Sequence, residues 1–154
     1  MDLILWRHAE AEDEREGLAD LDRALTARGE KQSARMAAWL DRLLPDEARI
    51  ISSPALRCQQ TAMALGRRFR PREQLQPGAT VADVLEAAQW PEARTAMVIV
   101  GHQPVLGEVG AQLLRMDGGQ CAIRKGSAWW LRTRERDGAI QTVSGDCTAH
   151  STVW

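Results

Sequence analysis

Three short apolar runs, each halted by polar residues, constrain the fold of this chain more than any other feature. Leu3-Ile4-Leu5-Trp6 stops at Arg7-His8, ARIISS (48–53) stops at Ser53 before Pro54, and TAMVIVGH (95–102) stops at His102 with Pro104 close behind. Runs that are apolar throughout, and not alternately apolar and polar, suit strands covered on both faces. Helical patterns lie between and after them. Thr26 is placed to cap ARGEKQSARMAAWLDRLL, in which Met36, Trp39, Leu40, Leu43 and Leu44 recur at three- and four-residue intervals. Ser53 as N-cap and Pro54 as first helical residue open ALRCQQTAMALGRRF, with Leu56, Ala62, Met63, Leu65 and Phe69 as its apolar stripe. Pro104 sits in the first turn of PVLGEVGAQLLRM. Strand, helix, strand, helix is the order of an α/β fold with right-handed crossovers.

The pattern changes after residue 117. GSAWWLRTRERDGAIQTVSG reads as two strands joined through Asp137-Gly138, so the sheet is expected to end in an antiparallel hairpin. Residues 70–94, with Pro71, Pro77, Gly78 and Pro91, read as a loop-rich connection holding one short helix near VADVLEAAQ. No repeat or linker divides the 154 residues, and a single domain spanning 1–154 is expected, large enough to bury a core without staples.

Charge and cysteine usage limit the function. Twenty Lys plus Arg against 21 Asp plus Glu leave a formal charge of −1, which argues against bulk attraction to nucleic acid or membrane. Cys58, Cys121 and Cys147 are odd in number and widely spaced, a poor disulfide framework or zinc ribbon. No apolar run has the length of a signal peptide or a membrane span, so the expected location is the cytoplasm. The three histidines show no metal-ligand spacing, and no metal or cofactor is expected.

If the three strands are parallel neighbours, their carboxyl ends gather Arg7, His8, Arg57 and His102 into one crevice, the place where ligands bind in open parallel sheets. Helix N-termini aimed at the same crevice add backbone N–H groups. Arg57 strengthens this reading, because a cation in the first turn of a helix opposes the helix dipole unless an anion compensates. The constellation suits phosphate or carboxylate; strand capping and solubility alone could also place such residues there.

These residues carry a resemblance. LWRHAEAE, LTARGEKQSARMAAWL, SSPALRCQQTA and VGHQPVLGEV, in that order, resemble the histidine phosphatase superfamily, with its N-terminal R-H-G, its S-P-x-x-R-x-x-Q-T and its late G-H. Within that superfamily the short chain, DRALTARG, G-H-Q-P and the final KGSAWWL are similar to the small SixA-type phosphohistidine phosphatases. The resemblance implies a phosphoglycerate mutase-like fold: a three-layer α/β/α sandwich whose mostly parallel central sheet ends in the antiparallel hairpin. It implies that His8 is a nucleophile that becomes transiently phosphorylated. Arg7 and Arg57 would bind the phosphoryl oxygens, His102 would donate to them, and Arg23 would be a fifth contact. Arginine suits that task, since it stays protonated and offers paired N–H bonds to spread-out negative charge. A histidine nucleophile must be neutral, which an ordinary pKa of about 6.5 and cationic neighbours both favour.

Two departures from the family pattern bear on function. Ala9 stands where the family has glycine, which matters only if the backbone there needs a positive φ. No carboxylate follows His102, whose neighbour is Gln103; Glu10, close to the nucleophile in sequence, could serve as proton donor or hydrogen-bond the loop, and Glu73, Asp83, Glu86 and Glu92 have no assignable place. An alkoxide leaving group needs an acid, whereas phosphohistidine departs as neutral imidazole once its ring is protonated. The reading is therefore a metal-independent phosphatase acting on phosphohistidine of a signalling or phosphotransfer protein. A phosphomonoesterase for a small phosphorylated metabolite and a non-catalytic phosphate- or phosphoprotein-binding module are the alternatives.

Overall fold

The computed structural model describes residues 1–119, 122–136 and 139–144. Its elements are β1 (Asp2–Arg7), α1 (Ala27–Leu43), β2 (Arg49–Ser52), α2 (Leu56–Met63), β3 (Arg70–Pro71), α3 (Val81–Ala87), β4 (Met97–Gly101), α4 (Val105–Leu113), β5 (Ala128–Arg136) and β6 (Ala139–Ser144). Six strands form one sheet in the order β3-β2-β4-β1-β5-β6. β3, β2, β4 and β1 run parallel, and β5 and β6 are antiparallel. The expected mostly parallel sheet with an antiparallel end is thus present; the Asp137-Gly138 turn, His150, Cys121, Cys147 and Trp154 lie outside the described residues.

Alternation along β1 explains the three layers. Ile4 and Trp6 point into a cluster with Met36, Ala37 and Leu40 of α1 and Cys58 and Ala62 of α2. Leu3 and Leu5 point into the opposite cluster, with Val84 of α3 and Val105, Leu106 and Val109 of α4. Every one of these side chains is nearly fully buried, so β1 must be apolar on both faces, as its continuous run required.

The helices differ in detail from their sequence patterns. Thr26 caps α1 as expected, its side chain accepting from the Gly29 N–H. The buried stripe of α1 is Gly29, Ser33, Met36, Ala37 and Leu40, while Leu43 is left 53% exposed at the last position of the helix. α2 is shorter than its pattern and begins two residues after Pro54, with Ala55 as N-cap. Ser53 therefore does not cap the helix; its hydroxyl accepts the Ala55 N–H at 3.2 Å and faces His102. Leu56 and Met63 are exposed, because the buried face of α2 is Arg57, Cys58, Thr61 and Ala62, the face turned to the sheet end and the crevice. Pro104 is the N-cap of α4, one position before its first turn. Among the described residues no helix is long and apolar enough to cross a membrane.

Candidate active site

β2, β4 and β1 are adjacent and parallel, so their carboxyl ends bring the three polar stops together. A cavity of about 340 Å³ opens there, lined among others by Arg7, His8, Arg23, Arg57 and His102. All five residues singled out from the sequence meet at this one place. Ala11, Asp13, Glu14, Asp20, Pro77, Gly78, Gln103 and Lys125 make up the rest of its lining.

His8 is fixed by its backbone before its ring is considered. Its N–H donates to the Gly101 carbonyl of β4 at 3.0 Å, and its carbonyl accepts from the Gly126 N–H at 3.0 Å. The ring then makes one decisive contact, Nδ1 to the Ala9 carbonyl at 2.7 Å. A carbonyl only accepts, so Nδ1 carries the proton and Nε2 is left with its lone pair. Burial lowers the His8 pKa to about 4, with the charges of Arg57, Arg7 and Lys125 adding to the effect and the Ala9 hydrogen bond opposing it. The cause differs from the expectation, since withdrawal from water outweighs the arginines. Ala9 has no positive φ, so the alanine that replaces the family glycine is unstrained.

The S-P-x-x-R-x-x-Q-T segment is a set of braces. Ser53 Oγ lies 2.8 Å from His102 Nε2. Arg57, 3% exposed, donates from Nη1 to the Asp20 carbonyl at 2.7 Å and from Nη2 to Asp20 Oδ2 at 3.1 Å. Gln60 accepts the Leu25 N–H at 2.7 Å, and Thr61 Oγ1 accepts the Ala9 N–H at 3.1 Å while donating to the Arg57 carbonyl. The loop after His8 is thereby tied to α2, and a second tie runs to α1 through Gln32, which accepts the Glu10 N–H. Gly29 allows this approach: a Cβ there would stand 2.0 Å from the Glu10 carbonyl oxygen.

His102 meets the His8 ring edge-on, with centroids 5.4 Å apart. Burial, the neighbouring His8 and the arginines lower its pKa to about 3. Cys58 Sγ lies 3.5 Å from His102 Nε2, but burial pushes its pKa up to about 12 and leaves it an unreactive thiol. Arg7 donates from Nη1 to the Ile123 carbonyl at 2.9 Å. Its Nε–H and that of Arg57 are buried and meet no acceptor among the described residues, a costly arrangement that an anion would relieve.

Arg23 reaches the cavity while bound by Nη1 to the Glu12 carbonyl at 2.7 Å and by Nε to Asp20 Oδ1 at 2.9 Å. Asp20 was not singled out from the sequence, yet it holds both Arg57 and Arg23. Burial would raise its pKa, but hydrogen bonds from Arg23 and Arg57 prevail and keep it below the usual carboxylate range. Its i,i+3 spacing to Arg23 was the available signal. Glu10 is not among the cavity lining; its carboxylate accepts from the Thr26 hydroxyl at 2.9 Å. Asp83 belongs to the capping box of α3 with Thr80.

Comparison with known proteins agrees with this geometry. Residues 3–78 match the model of the histidine phosphatase superfamily, branch 1. The chain belongs to the histidine phosphatase superfamily. An uncharacterized protein of Picosynechococcus sp. is 36% identical over 115 residues, 70% of each chain. Among solved structures, a candidate phosphohistidine phosphatase SixA from Nakamurella multipartitia superposes with a TM-score of 0.75 at 25% identity, covering 95% of both chains. A mycobacterial glucosyl-3-phosphoglycerate phosphatase shares the fold, with a TM-score of 0.68 at 20% identity over 94% of this chain and 96% of that one. The fold is SixA-like, and the superfamily and its phosphatase neighbours make this chain a phosphatase.

Proposed function

We propose that this phosphatase removes the phosphoryl group from phosphohistidine on a signalling or phosphotransfer protein, without a metal ion, through a phosphorylated His8. The observation that carries the reading is the Nδ1 contact to the Ala9 carbonyl, which leaves the His8 Nε2 lone pair for attack. Nε2 forms a bond to phosphorus as the substrate's P–N bond breaks, and the departing imidazole leaves neutral with its ring protonated. Water then attacks phosphorus, the P–Nε2 bond breaks, and phosphate is released.

Arg7 and Arg57 meet the charge on the equatorial oxygens, their partnerless buried Nε–H groups being donors of the needed kind. Ser53 supports the role of His102. Its hydroxyl already accepts from Ala55, so its own proton is available to His102 Nε2; His102 Nδ1 lies 3.5 Å from Arg57 Nη2, and a phosphoryl oxygen entering between the two would accept from both. Arg23, held by Asp20, is the outermost contact. Arg7, Arg23, Arg57 and Lys125 outnumber Asp13, Glu14 and Asp20 on the lining, a balance that favours an anion over a bound cation and is the ground for metal independence. Its free, buried Cys58 suits the reducing cytoplasm.

One observation favours a second reading. Asp13 and Glu14 line the cavity, and a carboxylate there would protonate the alkoxide of a small phosphorylated metabolite. The test is phosphate release, with chelator present, from a phosphohistidine-bearing phosphotransfer protein and from an aryl phosphate. Preferential release from the protein, lost in His8→Ala, is expected. Cleavage of the aryl phosphate alone would favour the metabolite, and silence on both would leave a binding module.

A further inference from the structure

A second cavity, of about 390 Å³, lies on the outer edge of the same sheet and shares no lining residue with the first. β3 pairs only with Ile51 and Ser52, leaving the Arg49–Ile50 stretch of β2 without a strand partner on that side. The cavity opens there. Its inner wall is apolar, with Ile50, Met97 and the half-buried Phe69. Four arginines, Arg49, Arg68, Arg70 and Arg72, surround it, and its lining contains no carboxylate.

The neighbouring Arg67 shows what an arginine on this segment does when it has a structural task. It donates to Asp41 Oδ1 at 2.8 Å and to the Pro45 carbonyl at 2.7 Å. The four around the cavity are exposed and take part in no side-chain hydrogen bond or ion pair among the described residues. Like charges gathered without partners repel one another, and in a chain whose net charge is −1 enough carboxylates exist to have neutralised them.

We propose that this cavity binds a small organic polyanion with a flat apolar body, of which a nucleoside di- or triphosphate is the fitting class. Arginine forks bind phosphates in pairs, and Phe69, flanked by Arg68 and Arg70, offers an aromatic surface to a base. The volume lies in the range of small-molecule sites, and the concave apolar wall suits such a ligand better than an extended acidic protein surface. The site is distinct from the phosphoryl pocket but connected to it, because β2 runs directly from Arg49 to Ser52 and on to Ser53, which holds His102.

The test is calorimetric binding of ATP, pyrophosphate and adenosine to the full chain, with and without saturating tungstate to occupy the phosphoryl pocket. ATP is expected to bind at one site per chain regardless of tungstate, more tightly than pyrophosphate or adenosine. Arg68→Gln/Arg70→Gln should weaken it about tenfold or more, with melting temperature and aryl phosphate turnover unchanged. Arg49→Gln/Arg72→Gln should do the same. The proposal is overturned if ATP does not bind, if tungstate displaces it, if both double variants bind as wild type does, or if a short oligonucleotide or a poly-glutamate peptide binds better. The double variants decide even if tungstate finds no site, so failure here and failure of the phosphohistidine reading are separable.

Discussion

Arg57, on α2 past the carboxyl end of β2, and Arg70, on β3 beside Ile51 of β2, show how burial and partners divide one residue type between two tasks. Arg57 is 3% exposed and clamped by the Asp20 carbonyl and carboxylate, so its guanidinium is fixed in one orientation. Arg70 is exposed and takes part in no side-chain hydrogen bond or ion pair among the described residues. A clamped donor is preorganised, and its contribution to a charged transition state costs no reordering. A free one must be ordered by its ligand and is screened by salt, so it suits reversible binding. The proposed catalytic end of the sheet is therefore built around fixed positive charge, and the outer edge around adaptable positive charge.

The sharpest way to break this contrast is to remove the group on which only one side depends. His8→Ala should lower phosphate release roughly 10³-fold or more, measured at saturating substrate, and leave ATP binding at the outer cavity intact. Next in size, Arg57→Lys keeps the charge but loses the paired contacts to Asp20. A fall in turnover of about 10²-fold is expected, whereas Arg70→Lys should leave turnover unchanged; equal effects would erase the distinction.

Acid provides a graded test of the buried side. The pKa values of His8 and His102 are lowered in the folded state to about 4 and about 3. The unfolded chain, with histidine near pH 6.5, therefore takes up protons first as pH falls, and it binds more protons than the native state through this window. Stability should decline from about pH 6.5 downward through pH 4 by a few kcal/mol per histidine, as read from urea midpoints. Replacing both by Gln should flatten that slope. The two rings interact, so the decline belongs to the pair.

Smaller effects probe the braces. Gly29→Ala would press a Cβ against the Glu10 carbonyl and should destabilise by about 1–3 kcal/mol, visible as a lower melting temperature. Ser53→Ala removes the partner of His102 Nε2 and should slow turnover about tenfold while leaving ATP affinity as it was.

Much of the fold was legible because burial on both faces imposes a pattern. β1, β2 and β4 could be read from continuous apolar runs, and Thr26 from the helix that follows it. β3 could not be: two residues, Arg70 and Pro71, carry no periodicity, and a proline argues against an inner strand while suiting an edge. The face of α2 was not legible because its buried side is partly polar, and Leu56 and Met63, which complete an apolar stripe in the sequence, point to solvent. The five residues around the phosphoryl cavity were legible as polar stops at strand ends, with the family motif supplying Arg23. Asp20, Pro77, Gly78 and Lys125 were not: Asp20 opens a three-residue 3-10 helix too short to carry a pattern, and the others reach the site through loops whose path no local pattern records. The role of Ser53 was hidden for a related reason, a serine before a proline being an ordinary capping signal.

The central claim is that His8 Nε2 takes the phosphoryl group, and the most direct measurement is to trap that intermediate. A phosphotransfer protein labelled with ³²P on histidine is mixed with the phosphatase, quenched in base during turnover, and the labelled peptide is sequenced. Label that survives base, is lost in acid and lies on the peptide carrying His8, with none on His8→Ala, is the predicted result. Turnover with no label on the phosphatase, or label on another residue, would contradict it.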